Sequence, residues 1–382
     1  MRALVKLRIK ESWVLLKFLV CRVISLILPK TQIWLISERG HEARDNAFVF
    51  YSYLRSNHPE ITAKYVIDKT SKDLFRLQND TNVVLCGSFN HYLYLCRAPY
   101  LISTHIMGYT PWMDFFSTLD RRYNIFPKQK KIFLQHGIIK DDLHALKGGN
   151  VHLDLFCCGA KGEYEYIRNT FRHPEGVVQY TGLCRFDNLV NYKLKRQILV
   201  MPTWRMYIRN QRFDETEYFK RWSEFLTSKE LEDLLTSNEY QLVFYPHYEV
   251  QKNIDSFMRF SLSKNVTIAG FDYDVQTLLK ESMLLITDYS SIYFDFAYMR
   301  KPIIMYQFDE SEFIENHYQK GYFNEESIGV KVFDIRSLME EIRTQITIGM
   351  KQSDKHQAFV ESFFEKADIH NCDRTFDSIL KL

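Results

Sequence analysis

Short apolar runs of four to eight residues recur along the chain, separated by polar turns and by stretches of helical periodicity. Runs of that length bounded by turn residues mark strands buried on both faces. They predict strands over 32–37, 61–68, 82–85, 100–103, 130–134 and 155–158, then over 197–201, 240–245, 266–269, 283–286 and 303–306. Helical spacing falls between them, over 45–55, 89–96, 161–169, 218–235, 275–281 and 292–299, with a closing helix over 372–380. This alternation predicts α/β architecture, with open parallel sheets and helices on both faces. A length of 382 residues suggests two domains. The polar, basic stretch 191–196 reads as the linker. Residues 104–128 are irregular and aromatic-rich, and read either as an outward-facing loop or as local packing.

The first 28 residues read as a helix. Its apolar run, Trp13 to Leu28, is 16 residues long and is broken by Lys17 and Arg22, whereas a membrane span needs about 20 apolar residues. On a helical wheel Trp13, Leu15, Leu16, Leu19, Val20, Val23, Ile24, Leu26 and Ile27 share one half, and Lys17, Arg22 and Ser25 the other. That pattern fits a helix lying in a membrane interface, or one packed on the N-terminal domain. Leu28-Pro29-Lys30 is a poor signal-peptidase site. Residues 1–30 carry seven basic side chains against Glu11, a local +6 in a chain of net charge +3, which leaves the remainder at −3. A basic tail on a mildly acidic body points away from nucleic acid and toward an anionic membrane surface. The seven cysteines are odd in number and form no C-x-x-C. This argues against a disulfide framework or zinc site and for reduced thiols.

Candidate chemistry gathers where strands end. The stretch 282–309 reads as strand, polar turn, helix, strand, and its turn is Thr287-Asp288-Tyr289-Ser290-Ser291. Hydroxyl residues beside backbone N–H groups at a helix start favour an anion. Helix capping accounts for one of these polar residues rather than for all. Gln135-His136-Gly137 closes a strand, in the position where open α/β sheets bind ligands, and Gly137 allows close approach to the backbone. Pro202-Thr203-Trp204-Arg205 follows another strand, with Thr203 and Arg205 as candidate phosphate donors. His247 ends a strand in the second half as His136 does in the first. Arg185 pairs either with a phosphate or with Asp187. Asp272-Tyr273-Asp274 spells D-x-D, but Asp274 stands directly before a helix and is better read as its N-cap than as a metal ligand. No P-loop, dinucleotide, nucleophile-elbow or zincin motif is present in the sequence.

The segment TDYSSIYFDFAYMRKPIIMY (287–306) resembles the signature of the CDP-glycerol glycerophosphotransferase family, the teichoic-acid primases and polymerases of bacterial cell envelopes. Gln135-His136-Gly137, Thr181-Gly182 with Arg185 and Asp187, Met201 to Arg205, and Tyr245-Pro246-His247-Tyr248 agree with it, in the family's order. The resemblance covers roughly residues 130–380. It implies two facing doubly wound Rossmann-like domains of the glycosyltransferase-B type, an acceptor-side domain over 31–192 and a CDP-donor domain over 193–382 whose closing helix often crosses back to the first; the amphipathic, membrane-associating helix read from the residues over 1–30 precedes them. It further implies transfer of a polyol phosphate, most simply from CDP-glycerol with release of CMP, to a hydroxyl of a lipid-linked acceptor. His136 and His247 are then the catalytic residues. Gly137, Arg185, Thr203, Arg205, Thr287, Asp288, Ser290 and Ser291 bind the donor. No metal or cofactor is implied, and the place of work is the cytoplasmic face of the bacterial membrane. A nucleotide-sugar glycosyltransferase of the same architecture and a non-catalytic envelope scaffold are the alternatives. Glycerol against ribitol, and primase against polymerase, stay open.

Overall fold

The computed structural model describes residues 2–316 and 320–382, with side chains from residue 10 onward. The chain divides into two compact units, one of residues 1–138, 144–187 and 368–382, the other of 139–143 and 188–367. In the first unit β1 (Trp34–Ser37), β2 (Ala63–Ile67), β3 (Val83–Leu85), β4 (Tyr100–Ser103), β5 (Lys130–Phe133), β6 (Leu155–Cys158) and β7 (Val178–Tyr180) form one sheet in the order β3-β2-β1-β4-β5-β6-β7. Its neighbours are all parallel. Successive strand residues point to opposite faces, and both faces are covered. Trp34 and Ile36 join Phe50 and Leu54 of helix Asn46–Asn57 and Phe376 and Ile379 of helix Asn371–Leu380. Leu35, on the other face, joins Phe18 and Cys21 of helix Arg2–Ile27, Leu95 of helix Phe89–Arg97 and Phe116 of helix Met113–Tyr123. Burial on both sides is why these strands are near-continuous apolar runs in the sequence.

The second unit repeats the plan with β8 (Gln197–Val200), β9 (Gln241–Phe244), β10 (Val266–Ile268), β11 (Leu284–Thr287), β12 (Ile303–Tyr306) and β13 (Val330–Val332), again all parallel, in the order β10-β9-β8-β11-β12-β13. Each unit thus carries the 3-2-1-4-5-6 order of doubly wound sheets, which places a ligand crevice at the carboxyl ends of the first and fourth strands, where the winding reverses. Those strands are β1 and β4 in the first unit, and β8 and β11 in the second.

Several elements differ from the sequence expectation. Residues 104–128 contain an 11-residue helix, Met113–Tyr123. Its Trp112 cap makes no side-chain hydrogen bond, and dense aromatic residues hide its period. The stretch 218–235 is two helices, Glu217–Leu226 and Lys229–Ser237, because the Ser228 hydroxyl caps a new start by accepting from the Leu231 N–H. Strands β7 and β13 are three residues each, too short to show alternation. Residues 368–382 fold with the first unit rather than with the rest of 193–382. The carboxylate of Asp187 accepts from the N–H groups of Asn371 (3.0 Å) and Cys372 (2.8 Å) and from the Asn371 side chain (2.7 Å), which caps the last helix. Gly182 has φ +80°, and a Cβ there would lie 1.6 Å from Asn371 Oδ1, so this close approach needs glycine.

The N-terminal helix does more than either reading of its sequence. Phe18 and Cys21 are buried, and Arg22 donates to the Ile125 carbonyl at 2.6 Å, so the face with Arg22 and Ser25 docks on the unit. Leu16, Leu19, Val20, Val23, Leu26 and Ile27 form an exposed stripe, with Leu26 81% and Ile27 83% accessible. The side chains of Arg2, Lys6 and Arg8 lie outside the described residues. Among the described residues no helix is long and apolar enough to cross a membrane. All seven cysteines are free thiols.

Candidate active site

In the first unit β5 ends at a left-handed residue, Gln135, with φ +62°. That turn carries His136 out to solvent and buries Gly137. The His136 ring lies flat against the His105 ring, with centroids 4.5 Å apart and planes 11° apart. Burial holds the pKa of His105 down to about 3, helped by His136 and Arg39, so that ring stays neutral. The pKa of His136 is also lowered. The surrounding protein is the largest cause, opposed by Asp45 and supported by Arg185, while the Thr104 carbonyl accepts from the ring and pulls the other way. Because the ring is exposed, solvent moderates the protein's effect, and the charge of Arg185 supports the same direction. A neutral imidazole that donates one N–H to a carbonyl presents a lone pair on its other nitrogen. Such a ring is able to accept a proton.

The nearby helix start is closed to anions. The Glu38 carboxylate, fully buried just after β1, accepts from the N–H groups of Asp45 (2.6 Å), Arg44 (3.1 Å) and Phe48 (3.3 Å). It fills the place a phosphate takes in a dinucleotide fold. Burial, then Asp45, raises its pKa to about 8 against the pull of those N–H groups. Arg185 binds Asp45 Oδ1 at 2.9 Å and the His136 carbonyl at 3.0 Å rather than Asp187, which caps the last helix.

In the second unit the loops after β8 and β11 meet. Both oxygens of Asp288 accept from the Thr203 N–H, at 2.8 and 3.1 Å, and the Thr287 hydroxyl donates to the Met201 carbonyl at 2.7 Å. Arg205 is not a surface guanidinium. It is fully buried, donating to Asp288 (2.8 Å), to the Thr203 carbonyl (2.7 Å) and as a fork to Asp309 (2.7 and 3.0 Å). The rings of Tyr289, Phe313, Tyr218 and Phe308 lie within 5.7 Å of it. Burial alone would raise the pKa of Asp309, but Arg205 and the hydroxyls of Tyr207 and Tyr289 hold it below the ordinary value. Arg205, Asp288 and Thr287 thus spend their polar atoms inside the protein and shape the loops. The Thr203 hydroxyl is left buried without a hydrogen-bond partner, beside the half-buried Ser290 and Ser291. An orphaned donor at a sheet's switch point fits a ligand oxygen.

His247 follows β9 and caps the short helix Tyr248–Gln251, its Nδ1 accepting from the Glu249 N–H at 3.3 Å. Its ring is nearly parallel to Trp204, 6.4 Å away, which brings it to the Thr203 loop. With Nδ1 accepting, the neutral ring carries its proton on Nε2 and offers a donor. Asp274 caps helix Val275–Glu281 through the Thr277 N–H at 2.9 Å, as its position in the sequence predicts.

The structure thus gathers His136 and Arg185 in one unit, and Thr203, Arg205, Asp288, Ser290, Ser291 and His247 in the other. Sequence reasoning missed Glu38, Asn46, His105 and Asp309. Only Asp45-Asn46, a polar pair at a helix start, carried a local signal.

A family model described as CDP-Glycerol:Poly(glycerophosphate) glycerophosphotransferase matches residues 19–381. The chain belongs to that family. It is 29% identical over 374 residues to the minor teichoic acid biosynthesis protein GgaB of Bacillus subtilis, covering 93% of this chain and 40% of that protein. The chain therefore spans less than half the length of that relative. It is 26% identical over 401 residues to the teichoic acid poly(glycerol phosphate) polymerase of Bacillus spizizenii, covering 96% and 97% of the two chains. The solved structure of the wall teichoic acid polymerase TagF is similar with a TM-score of 0.66 at 19% identity, over 98% of this chain and 94% of that one. That likeness is one of fold, and the two-sheet α/β architecture implied by the glycerophosphotransferase motifs is the one observed.

Proposed function

We propose that this chain transfers glycerol phosphate from CDP-glycerol to a hydroxyl of a lipid-linked acceptor in teichoic-acid or related envelope polymer synthesis. The observation that carries the reading is the Thr203 loop, tied through Asp288 to the Ser290-Ser291 turn at the switch point of the second sheet with an orphaned hydroxyl beside it. Family membership supports it. His136 takes the proton of the attacking hydroxyl. A bond forms from that oxygen to the phosphorus next to glycerol, the bond to the bridging oxygen breaks, and CMP leaves with the electron pair. Thr203, Ser290, Ser291 and the Nε2–H of His247 donate to the phosphate oxygens as charge shifts toward the leaving group. Product mass after incubation with CDP-glycerol, CDP-ribitol or UDP-sugars and a lipid-linked acceptor tests this. A product bearing a sugar from the UDP donor alone overturns it.

The double variant Ser290→Ala with Ser291→Ala is expected to weaken CDP-glycerol binding roughly tenfold, at about 1 kcal/mol or less per lost hydrogen bond. Acceptor KM should stay unchanged. Calorimetric titration giving wild-type donor affinity would remove the turn from the donor site.

We further propose that the chain works as a peripheral protein at an anionic membrane surface, through the exposed stripe of the N-terminal helix. Its apolar side chains suit the acyl boundary, and the basic residues of the first 30 suit anionic headgroups. Deleting the helix would also uncover the core beneath Phe18, so point changes are cleaner. Val23→Asp with Ile27→Asp, both exposed, should leave the thermal midpoint within a degree or two and abolish co-sedimentation with anionic vesicles. Sedimentation equal to wild type would refute the attachment.

A further inference from the structure

The turn that carries His136 is held at three points on two adjacent residues. The Gln135 carbonyl accepts from Asn46 Nδ2 at 2.8 Å, the His136 carbonyl accepts from Arg185 Nη1 at 3.0 Å, and Gln135 Nε2 donates to the Cys157 carbonyl on β6 at 2.5 Å. Gln135 itself adopts the left-handed conformation that non-glycine residues take only when their surroundings impose it. Asn46 is the link in this arrangement. It is wholly buried, at the first position of helix Asn46–Asn57, and both ends of its amide are used. Nδ2 faces the Gln135 carbonyl and Oδ1 accepts from the Arg185 N–H at 2.9 Å, which fixes the amide's orientation. One side chain thereby ties the helix start, the β5 turn and the 184–188 segment together.

We infer that Asn46 is a positioning residue for the transfer reaction: with Arg185 it fixes the backbone of Gln135 and His136 so that the free nitrogen of the His136 ring points at the acceptor hydroxyl. The inference rests on His136 as the base. A base must sit within hydrogen-bond reach of its proton, and an error of about 1 Å costs on the order of a hundredfold in rate. A buried apolar residue would pack the same space without holding the Gln135 carbonyl or the Arg185 N–H. Asn46 spends its polar atoms on the turn instead.

The test compares steady-state kinetics of the full chain as wild type, His136→Ala, Asn46→Asp, Asn46→Ala and Arg185→Lys. Asn46→Asp keeps shape and the acceptor for the Arg185 N–H, but sets a carboxylate oxygen against the Gln135 carbonyl. Arg185→Lys keeps the charge beside Asp45 but loses the planar fork. For each Asn46 or Arg185 variant that binds CDP-glycerol like wild type by calorimetry, kcat should fall 10- to 100-fold with donor KM within twofold. Asp45, Arg185, Arg39 and His105 are the titratable groups that surround the ring. A carboxylate at position 46 adds negative charge to them, so the acid limb of kcat/KM should move to higher pH in Asn46→Asp. A merely structural role would lower the thermal midpoint and leave kcat per folded molecule and the acid limb in place, which overturns the inference. Wild-type kcat in the Asn46 and Arg185 variants with an inactive His136→Ala also overturns it while leaving the base assignment standing. An active His136→Ala removes the base assignment itself.

Discussion

Replacing His136 with alanine is expected to lower turnover by about 10²–10⁴, the range general-base catalysis supplies. That equals roughly 3–5 kcal/mol of transition-state stabilisation at 1.36 kcal/mol per decade. The ring is exposed and its main neighbour is the stacked His105, so removing it should cost little stability, about 0.5 kcal/mol or less. CDP-glycerol affinity should stay at the wild-type value, because the phosphate donors proposed above belong to the second unit. The proton inventory also sets a pH dependence. Since the His136 pKa lies below its ordinary value of about 6.5, the wild-type rate should be flat through neutral pH. It should fall only on acidification past that lowered pKa, as the ring gains a proton and ceases to be a base. Stopped-assay kinetics at saturating donor measure both. Turnover unchanged in His136→Ala removes the residue from the mechanism.

Replacing Arg205 with methionine is expected to destabilise the second unit by about 3–5 kcal/mol, the cost of leaving a buried charge without its partner. Asp288 is fully buried and Asp309 nearly so, and both lean on this one guanidinium. Arg205→Lys should recover only part of the loss, since an ammonium cannot span Asp309 as a fork while also reaching Asp288 and the Thr203 carbonyl. Donor binding should fail along with the fold, because the same contacts set the Thr203 and Ser290-Ser291 loops. Asp309 contributes a pH term of known sign. Its folded pKa is depressed, so its stabilisation is complete above the unfolded value of about 3.9 and disappears as pH falls through the lower folded value. Urea unfolding monitored by the buried Trp222 of this unit reads the loss. A midpoint within 0.5 kcal/mol of wild type would show that the aromatic cage alone holds the loops.

Much of this protein is written locally. Ile303–Tyr306 and Leu284–Thr287 are apolar runs whose burial on both faces can be read from the run itself, and the polar turn between them follows from the break. The C-terminal helix was legible in the same way. So were the positions of His136, His247 and the Ser290-Ser291 turn just past strand ends, because each closely follows an apolar run. What escaped was whatever depends on two segments meeting. Arg205 read as a candidate phosphate donor because its guanidinium fork matches two oxygens and nothing near it in sequence neutralises it. Its partners Asp288 and Asp309 lie 83 and 104 residues away. Asn46 reaches the turn before His136 across 89 residues. The strand order that brings the β8 and β11 loops together is equally invisible in any single run.

By itself, then, the sequence determined the strand and helix alternation, the places where strands stop, and the residue types waiting there, because each of these depends on neighbours within a few positions. Only the tertiary structure decided which polar side chains remain available to a ligand. Burial makes a charge seek whatever opposite charge the fold brings within reach, and that turned Arg205 and Arg185 into internal braces while leaving the Thr203 hydroxyl without a partner, Ser290 half-buried and the His136 ring exposed.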